Sequence, residues 1–409
     1  MLLQSLLRPV LTPIMRGIFD PAQSVSAAWT PLALWPDGIS SAGMWISPRT
    51  LTSEWQDYTG TTPVVTPGTV ADSSNPVGLA LDIRAGAPEV LGPDVVTNGD
   101  FAAGSTGWTL SGAWTVSGGQ ASITAAGDLN AIYQAGLTAG KTYLATFTIT
   151  SISAGGLCFY CGTNYYSAYF TTAGTHTAIL VCGANGLLGV QVQQIGTTAA
   201  FDNISFQEVP GNHMLQSTSS ARPLMSAYDG QTLGPGDTYD SAGYPVFQLY
   251  DGVDDGMATA TFTAGTLING MDCMIAVRRD SAAACVAGLY NGIADATKFF
   301  GMAESGSGSG CVGSGAGTPT VWVDGVQLSG GTAVTRGTLH TALTVGDYHI
   351  LEFRGLDLST WTAAGFGLYT SYVFPGARGD IMLYPSTDST ADKDAARQYL
   401  ADYYGVTLP

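Results

Sequence analysis

The chain has 409 residues, room for roughly two to four domains, and a formal charge of −17 from 31 acidic and 14 basic side chains. That balance argues against a nucleic-acid partner, which requires Lys and Arg to neutralise phosphate, and against an anionic membrane surface. With 45% hydrophobic residues, 11% charged residues and 54 Gly, the composition is that of a folded chain, and its wealth of Thr, Tyr, Val and Gly predicts an all-β class.

Residues 1–30 differ from the rest. Leu2-Leu3, Leu6-Leu7, Val10-Leu11, Ile14-Met15 and Ile18-Phe19 recur every four residues, close to the helical period, while Pro9 and Pro13 break a regular helix. The reading is a kinked or extended apolar stripe that docks on a partner. Val25-Ser26-Ala27 looks like a secretory cleavage site, but Arg8, Pro9, Pro13 and Arg16 interrupt the apolar run, so secretion by this route is not expected. No run approaches the roughly 20 apolar residues of a membrane span.

Short strands and turns follow over 31–93. The text from Trp45 to Gln56, then Gly60-Thr61-Thr62-Pro63-Val64 and Pro76-Val77-Gly78-Leu79-Ala80-Leu81-Asp82, resembles a segment of tailed-phage virion proteins. In that family it runs on into an N-H-x-x-Q-x-T-x-x-x-R-P stretch, which arrives here only at Asn212-His213 to Arg222-Pro223. Residues 94–209 are therefore read as an insert, with the collar resuming at 210–245. Inside the insert, alternating strands such as Tyr143–Ile149 and His176–Val181 are separated by Gly-rich turns, which predicts a sandwich. Its opening Asn98-Gly99-Asp100-Phe101 with Gly107-Trp108, and its closing Phe201-Asp202-Asn203-Ile204, resemble family 4/9 carbohydrate-binding modules, which are jelly rolls.

From Phe247 the sequence reads F-Q-L-Y-D-G-V-D-D-G-M: a strand entering an acidic turn, with Phe247, Leu249 and Val253 as apolar positions. Together with Val321-Trp322-Val323-Asp324-Gly325-Val326 and Gly379-Asp380-Ile381, it resembles concanavalin A-like (laminin G-like) lectin domains at the ends of phage virion proteins. This domain is assigned residues 246–409. A closing helix is predicted over Thr390–Tyr404, capped by Ser389 or Thr390 and stopped by Gly405, with Ala396, Tyr399, Leu400 and Tyr403 on its packed face. The expected fold is thus all-β: two antiparallel β-sandwich (jelly-roll) domains, an irregular N-terminal anchoring region and one short C-terminal helix.

Chemistry leaves little trace. The five Glu (Glu54, Glu89, Glu208, Glu304, Glu352) show none of the alternating acidic spacing that glucanases on this fold use, there is no G-x-S-x-G, and the four His lack companions. No catalytic residue is assigned and the chain is not expected to be an enzyme. Arg378-Gly379-Asp380 spells R-G-D but carries no weight. Cys158-x-x-Cys161 has no partner pair at zinc spacing and reads as strand.

Saccharide binding has a physical basis, because aromatic faces stack on pyranose C–H groups while amides and carboxylates take the hydroxyls. Asn164, Tyr165, Tyr166 and Tyr169 in the insert, and Trp361 and Tyr372 beyond it, are the candidates; core packing is the plainer reading of each. No cofactor is required. The likeness to carbohydrate-binding modules implies a structural calcium held by Asp100 and Asp202, against the alternative of two turn aspartates without metal. The resemblance as a whole implies a virion adhesin on the particle exterior, tail or head fibre. Other virion proteins would bind through residues 1–30, host surface polysaccharide would be the ligand, and a homo-oligomer is expected, a trimer by likeness to such fibres although no heptads are visible. Decoration without sugar binding and polysaccharide depolymerase are the alternatives.

Overall fold

The computed structural model describes residues 29–49, 53–57, 62, 64, 75–84, 91–127, 129–162, 169–192, 194–227, 246–262, 266–292, 295–328, 334–386 and 389–409. The expected apolar leader lies outside that set apart from Trp29 and Thr30. Trp29 rests on Tyr399, ring centroids 6.2 Å apart, and its indole N–H donates to Asp392. No described helix is long and apolar enough to cross a membrane.

Three short strands come first: β1 (Met44–Ile46), β2 (Glu54–Trp55) and β3 (Leu79–Ala80). The next nine are β4 (Thr109–Leu110), β5 (Thr115–Ser117), β6 (Gln120–Ile123), β7 (Ala131–Ala135), β8 (Thr142–Ala154), β9 (Leu157–Cys161), β10 (Gly174–Val181), β11 (Leu187–Val192) and β12 (Thr198–Val209). They make two antiparallel sheets, ordered β10-β8-β12-β6-β5 and β4-β7-β11-β9. In β8, Tyr143, Ala145, Phe147 and Ile149 are buried while Leu144, Thr146 and Thr148 between them are half-buried, the period-two pattern of a strand with one face inward. Phe147 meets Phe159 of the opposite sheet at 4.5 Å between centroids, and Phe206 meets Phe159 at 5.8 Å. An aromatic core between two sheets is a sandwich.

The remaining strands are β13 (Met214–Leu215), β14 (Leu224–Ala227), β15 (Val246–Asp251), β16 (Met257–Thr259), β17 (Asn269–Arg279), β18 (Cys285–Val286), β19 (Met302–Ala303), β20 (Thr320–Val323) and β21 (Val326–Gln327). After helix α1 (Arg336–Ala342) come β22 (Tyr348–Asp357), β23 (Gly365–Phe366), β24 (Leu368–Tyr369), β25 (Tyr372–Val373), β26 (Pro375–Pro385) and helix α2 (Thr390–Tyr404). One sheet runs β14-β15-β26-β17-β22-β20-β21 with β1 also on β26; a second runs β2-β3-β13-β16-β23. The class is all-β, as composition implied.

Three expectations need correction. The collar is not separate from residues 246–409 in packing. β1 pairs with β26, β13 pairs with both β3 and β16, and Met44, Ile46, Ala80 and Met214 share one core with Ile275, Phe353 and Leu383. Val253 is 72% exposed rather than apolar core, because its N–H is drawn to the Asp251 carboxylate at 2.7 Å and the turn faces solvent. Helix α1 was not expected; only its cap, Thr335 accepting from the N–H of Thr338, is a sequence signal, and Gly337 weakens that signal.

Helix α2 covers the outer face of the larger sheet. Ser389 is its N-cap, accepting from the N–H of Asp392, and Gly405 ends it in the left-handed region at φ 70°. The face is turned by one position from the expectation: Arg397 and Tyr404 go in, while Tyr399 and Tyr403 stay half-buried. Three carboxylates on adjacent strands cause this. Asp272 meets Lys393 at 2.6 Å, Glu352 pairs with Arg397 and with Arg354, and Asp380 accepts from Tyr404 at 2.9 Å and Trp45 at 2.9 Å. Asp380 and Arg378 are both fully buried, so the R-G-D triplet is a core feature. Removing one partner of a buried pair costs far more than removing an exposed one. Glu352→Ala should therefore lower the unfolding free energy by about 3 kcal/mol in urea melts. Asp394→Ala, which removes the more exposed partner of Arg397, should cost about 0.5 kcal/mol.

Candidate functional site

The insert leaves and re-enters the larger body at one place, and a single carboxylate holds that place together. Asp82, 4% exposed, follows β3, and Asn212 and His213 precede β13. Its Oδ1 accepts from the N–H of Trp45 (3.1 Å) and its Oδ2 from the N–H of Asn212 (2.8 Å), while the Arg84 guanidinium meets both oxygens at 3.1 and 3.0 Å. Gly211 is required here: at φ 145° a Cβ would lie 2.8 Å from both the Asp82 Cβ and the His213 ring. The Asp82 N–H donates to His213 Nδ1 at 2.9 Å, and His213 Nε2 faces the Val209 carbonyl at 2.9 Å. Nε2 must therefore carry the proton. Burial lowers the His213 pKa, so the ring is neutral and both nitrogens are occupied.

Beside this neck lies a cleft of about 350 Å³. One wall is the base of the insert, where the start of β8 and the end of β12 place Lys141, Thr142 and Glu208. The facing wall is the end of β16 and the residues after it, including Thr261 and Phe262; Arg84 and His213 also line it. Lys141 Nζ and Glu208 Oε1 are 2.6 Å apart, with both side chains partly open to solvent. The lining offers hydroxyls from Ser41 and Thr261, an amide from Asn212, an ion pair and one half-buried ring, Phe262. Hydroxyl-rich ligands are recognised by such a set.

None of the described sequence candidates lines this cleft. Asn164, Tyr165 and Tyr166 lie outside the described residues. Tyr169 is 41% exposed. Trp361 is 5% exposed, packs against Phe300 at 5.8 Å, and donates its indole N–H to Gly315 at 2.8 Å; it is a core residue, not a stacking platform. Tyr372 is half-buried against a small cluster of Val286, Tyr290, Phe299, Met302 and Tyr369. Asp100 and Asp202 are each engaged locally, Asp100 with the N–H of Ala102 and Asp202 with Asn203. The two ends of the insert are joined by Asp94, which accepts from the N–H of Val96 and of Phe206, both at 3.0 Å, and by the Gly99 carbonyl, which accepts from the N–H of Ile204. The cleft itself escaped the sequence reading because it is assembled from segments near 41, 84, 141, 208 and 261; the displaced Asn212-His213 text was its one signal.

Among the described residues, Asp251, Asp254 and Asp255 bring carboxylate oxygens within 4.8 Å of one another. Burial raises the Asp255 carboxyl to about 7, with Asp251 and Asp254 adding to it, although the Asp251 N–H donates to it at 2.8 Å.

No protein-family model matches the chain, and no curated protein matches it. Among solved structures, the chain is similar to the N-terminal CBM22-1-CBM22-2 tandem domain of Paenibacillus barcinonensis Xyn10C, with 11% identity and a TM-score of 0.25 over 72% of this chain and 98% of that one. A likeness at that score has no bearing on activity.

Two measurements follow from this geometry. Asp82→Ala removes the carboxylate partner of Arg84 and frees three backbone N–H groups, so stability should fall by about 3 kcal/mol and hydrogen exchange at Trp45, Arg84 and Asn212 should rise. For Asp255, a folded pKa raised above its ordinary 3.8 means the stabilising contribution is full at low pH and is lost as pH rises through about 7. Asp255→Asn, melted in chelator, should therefore gain on the wild type between pH 4 and pH 8; an unchanging difference would contradict the assignment.

Proposed function

We propose that this chain is a non-catalytic adhesin of a tailed-phage particle, which holds host surface polysaccharide in the cleft beside the insert. The cleft carries the reading. It offers hydroxyl, amide and paired-charge partners next to one aromatic ring, while its titratable groups are already engaged: Lys141 with Glu208, Arg84 with Asp82, His213 with two backbone groups. Such a lining favours holding a saccharide over cutting it, since general acid–base chemistry needs a group free to move a proton. The virion setting rests on the resemblance of residues 31–93 and 210–223, with residues 1–30 as the anchor to other virion proteins. A position on the exterior of the particle, on a tail or head fibre, goes with that setting. Tyr169, with Tyr165, Tyr166 and Asn164 beside it in sequence, is a second contact on the insert. A structural calcium at Asp100 and Asp202 remains part of the proposal as an accessory and not as a requirement.

A single site of this kind binds with a dissociation constant of roughly 1 mM to 1 µM, and copies on a homo-oligomer, a trimer by resemblance, would add ~10²–10⁴ in avidity. The test is an array of host surface polysaccharides followed by calorimetry on the binder. Phe262→Ala and Lys141→Ala should each weaken binding about tenfold, and Lys141→Ala, which removes only an exposed ion pair, should do so without changing the melting temperature. Absence of binding to every host polysaccharide would favour a purely structural decoration protein, and release of new reducing ends would make the protein a depolymerase.

A further inference from the structure

All six cysteines are reduced and buried, but their surroundings differ. Cys158 donates its thiol hydrogen to the Gln191 carbonyl, and Cys273, Cys285 and Cys311 sit in the core of the larger sandwich. Cys161 and Cys182 both lie inside the core of the insert, where the Cys182 thiol donates to the Gly183 carbonyl at 3.3 Å. Each is followed by glycine, and the two glycines make the approach feasible. The N–H of Gly183 donates to the Cys161 carbonyl at 3.1 Å, and a Cβ on Gly162 would fall 2.5 Å from the Gly183 Cα. The two backbones thus approach closely, and each carries a thiol into the same core.

We propose that Cys161 and Cys182 are an oxidation site that closes to an intramolecular disulfide when the protein meets a disulfide oxidant. The thiolate of Cys182 attacks one sulfur of oxidised glutathione, forming a mixed disulfide and releasing one glutathione thiolate. Cys161 loses its proton and attacks the Cys182 sulfur, expelling the second glutathione. The balance is two protein thiols and one glutathione disulfide giving one protein disulfide and two glutathione thiols.

The bond would also act on the cleft. The Cys182 carbonyl accepts from the N–H of Gly140 at 2.9 Å and its N–H donates to the Lys141 carbonyl at 2.8 Å, and both residues line the cleft wall. Fixing Cys182 to the end of β9 stiffens the segment that carries Lys141. The proposal does not depend on what the cleft binds.

The full chain is refolded from denaturant with an excess of oxidised glutathione, and thiols are counted after denaturation. The expected count falls from six to four, a peptide map links Cys161 to Cys182, and the oxidised form melts about 4 °C or more above the reduced one. Cys158→Ala should still lose two thiols on oxidation, and Cys182→Ala should lose none. Six thiols remaining after oxidative refolding, or a link joining either residue to a different cysteine, overturns the proposal. Should Cys182→Ala fail to fold, Cys161→Ser with the same count decides.

Discussion

A buried carboxylate at the root of the insert is the constraint on which the rest of the arrangement depends. Asp82 gathers the chain just before the insert, the chain just after it, and the backbone of β1 through Trp45. Ion pairs out of water are costly unless every lone pair finds a donor, and here both oxygens are satisfied by backbone N–H groups and a forked guanidinium. The consequence is geometric: β3 and β13, separated in sequence by the whole insert, lie side by side in register. Only with that ladder formed can the second sheet of the larger sandwich close over Met214 and Met257, and only then do the two cleft walls face each other.

The same device recurs on the opposite side of the larger sheet. There, Asp272, Glu352 and Asp380 reach from three neighbouring strands to α2 and its surroundings. The central strands are buried on both faces, Cys273, Ile275 and Val277 toward the inner core and Met274 and Ala276 toward the helix, so they read as continuous apolar runs rather than alternating ones. Apolar burial supplies the stability of this layer, while the carboxylates fix which face of the helix points inward.

What the sequence revealed follows the range of the physics. Short-range signals were legible: Ser389 and Gly405 bracket α2, the period-two pattern of β8 foretells a half-buried strand, and Phe247 to Asp251 is a strand. Long-range pairings were not. Nothing local tells that Trp45 belongs beside Met382, or that Arg84 and Phe262 share a cleft. Aromatic candidates were the least legible, because an isolated Trp361 carries the same letters whether its ring stacks on a ligand or, as here, on Phe300 with its N–H satisfied by Gly315. Val253 failed for the converse reason: an apolar letter inside a turn whose hydrogen bonds point it outward.

The direct pairing of Leu79–Ala80 with Met214–Leu215 also sets how tension moves through the molecule. A pull that reaches the two strands flanking the insert is borne by this short ladder and the Asp82 clasp, not by the jelly roll that loops out between them. The inserted sandwich is mechanically bypassed: it stays slack, with its strand registers unloaded, until the clasp has torn.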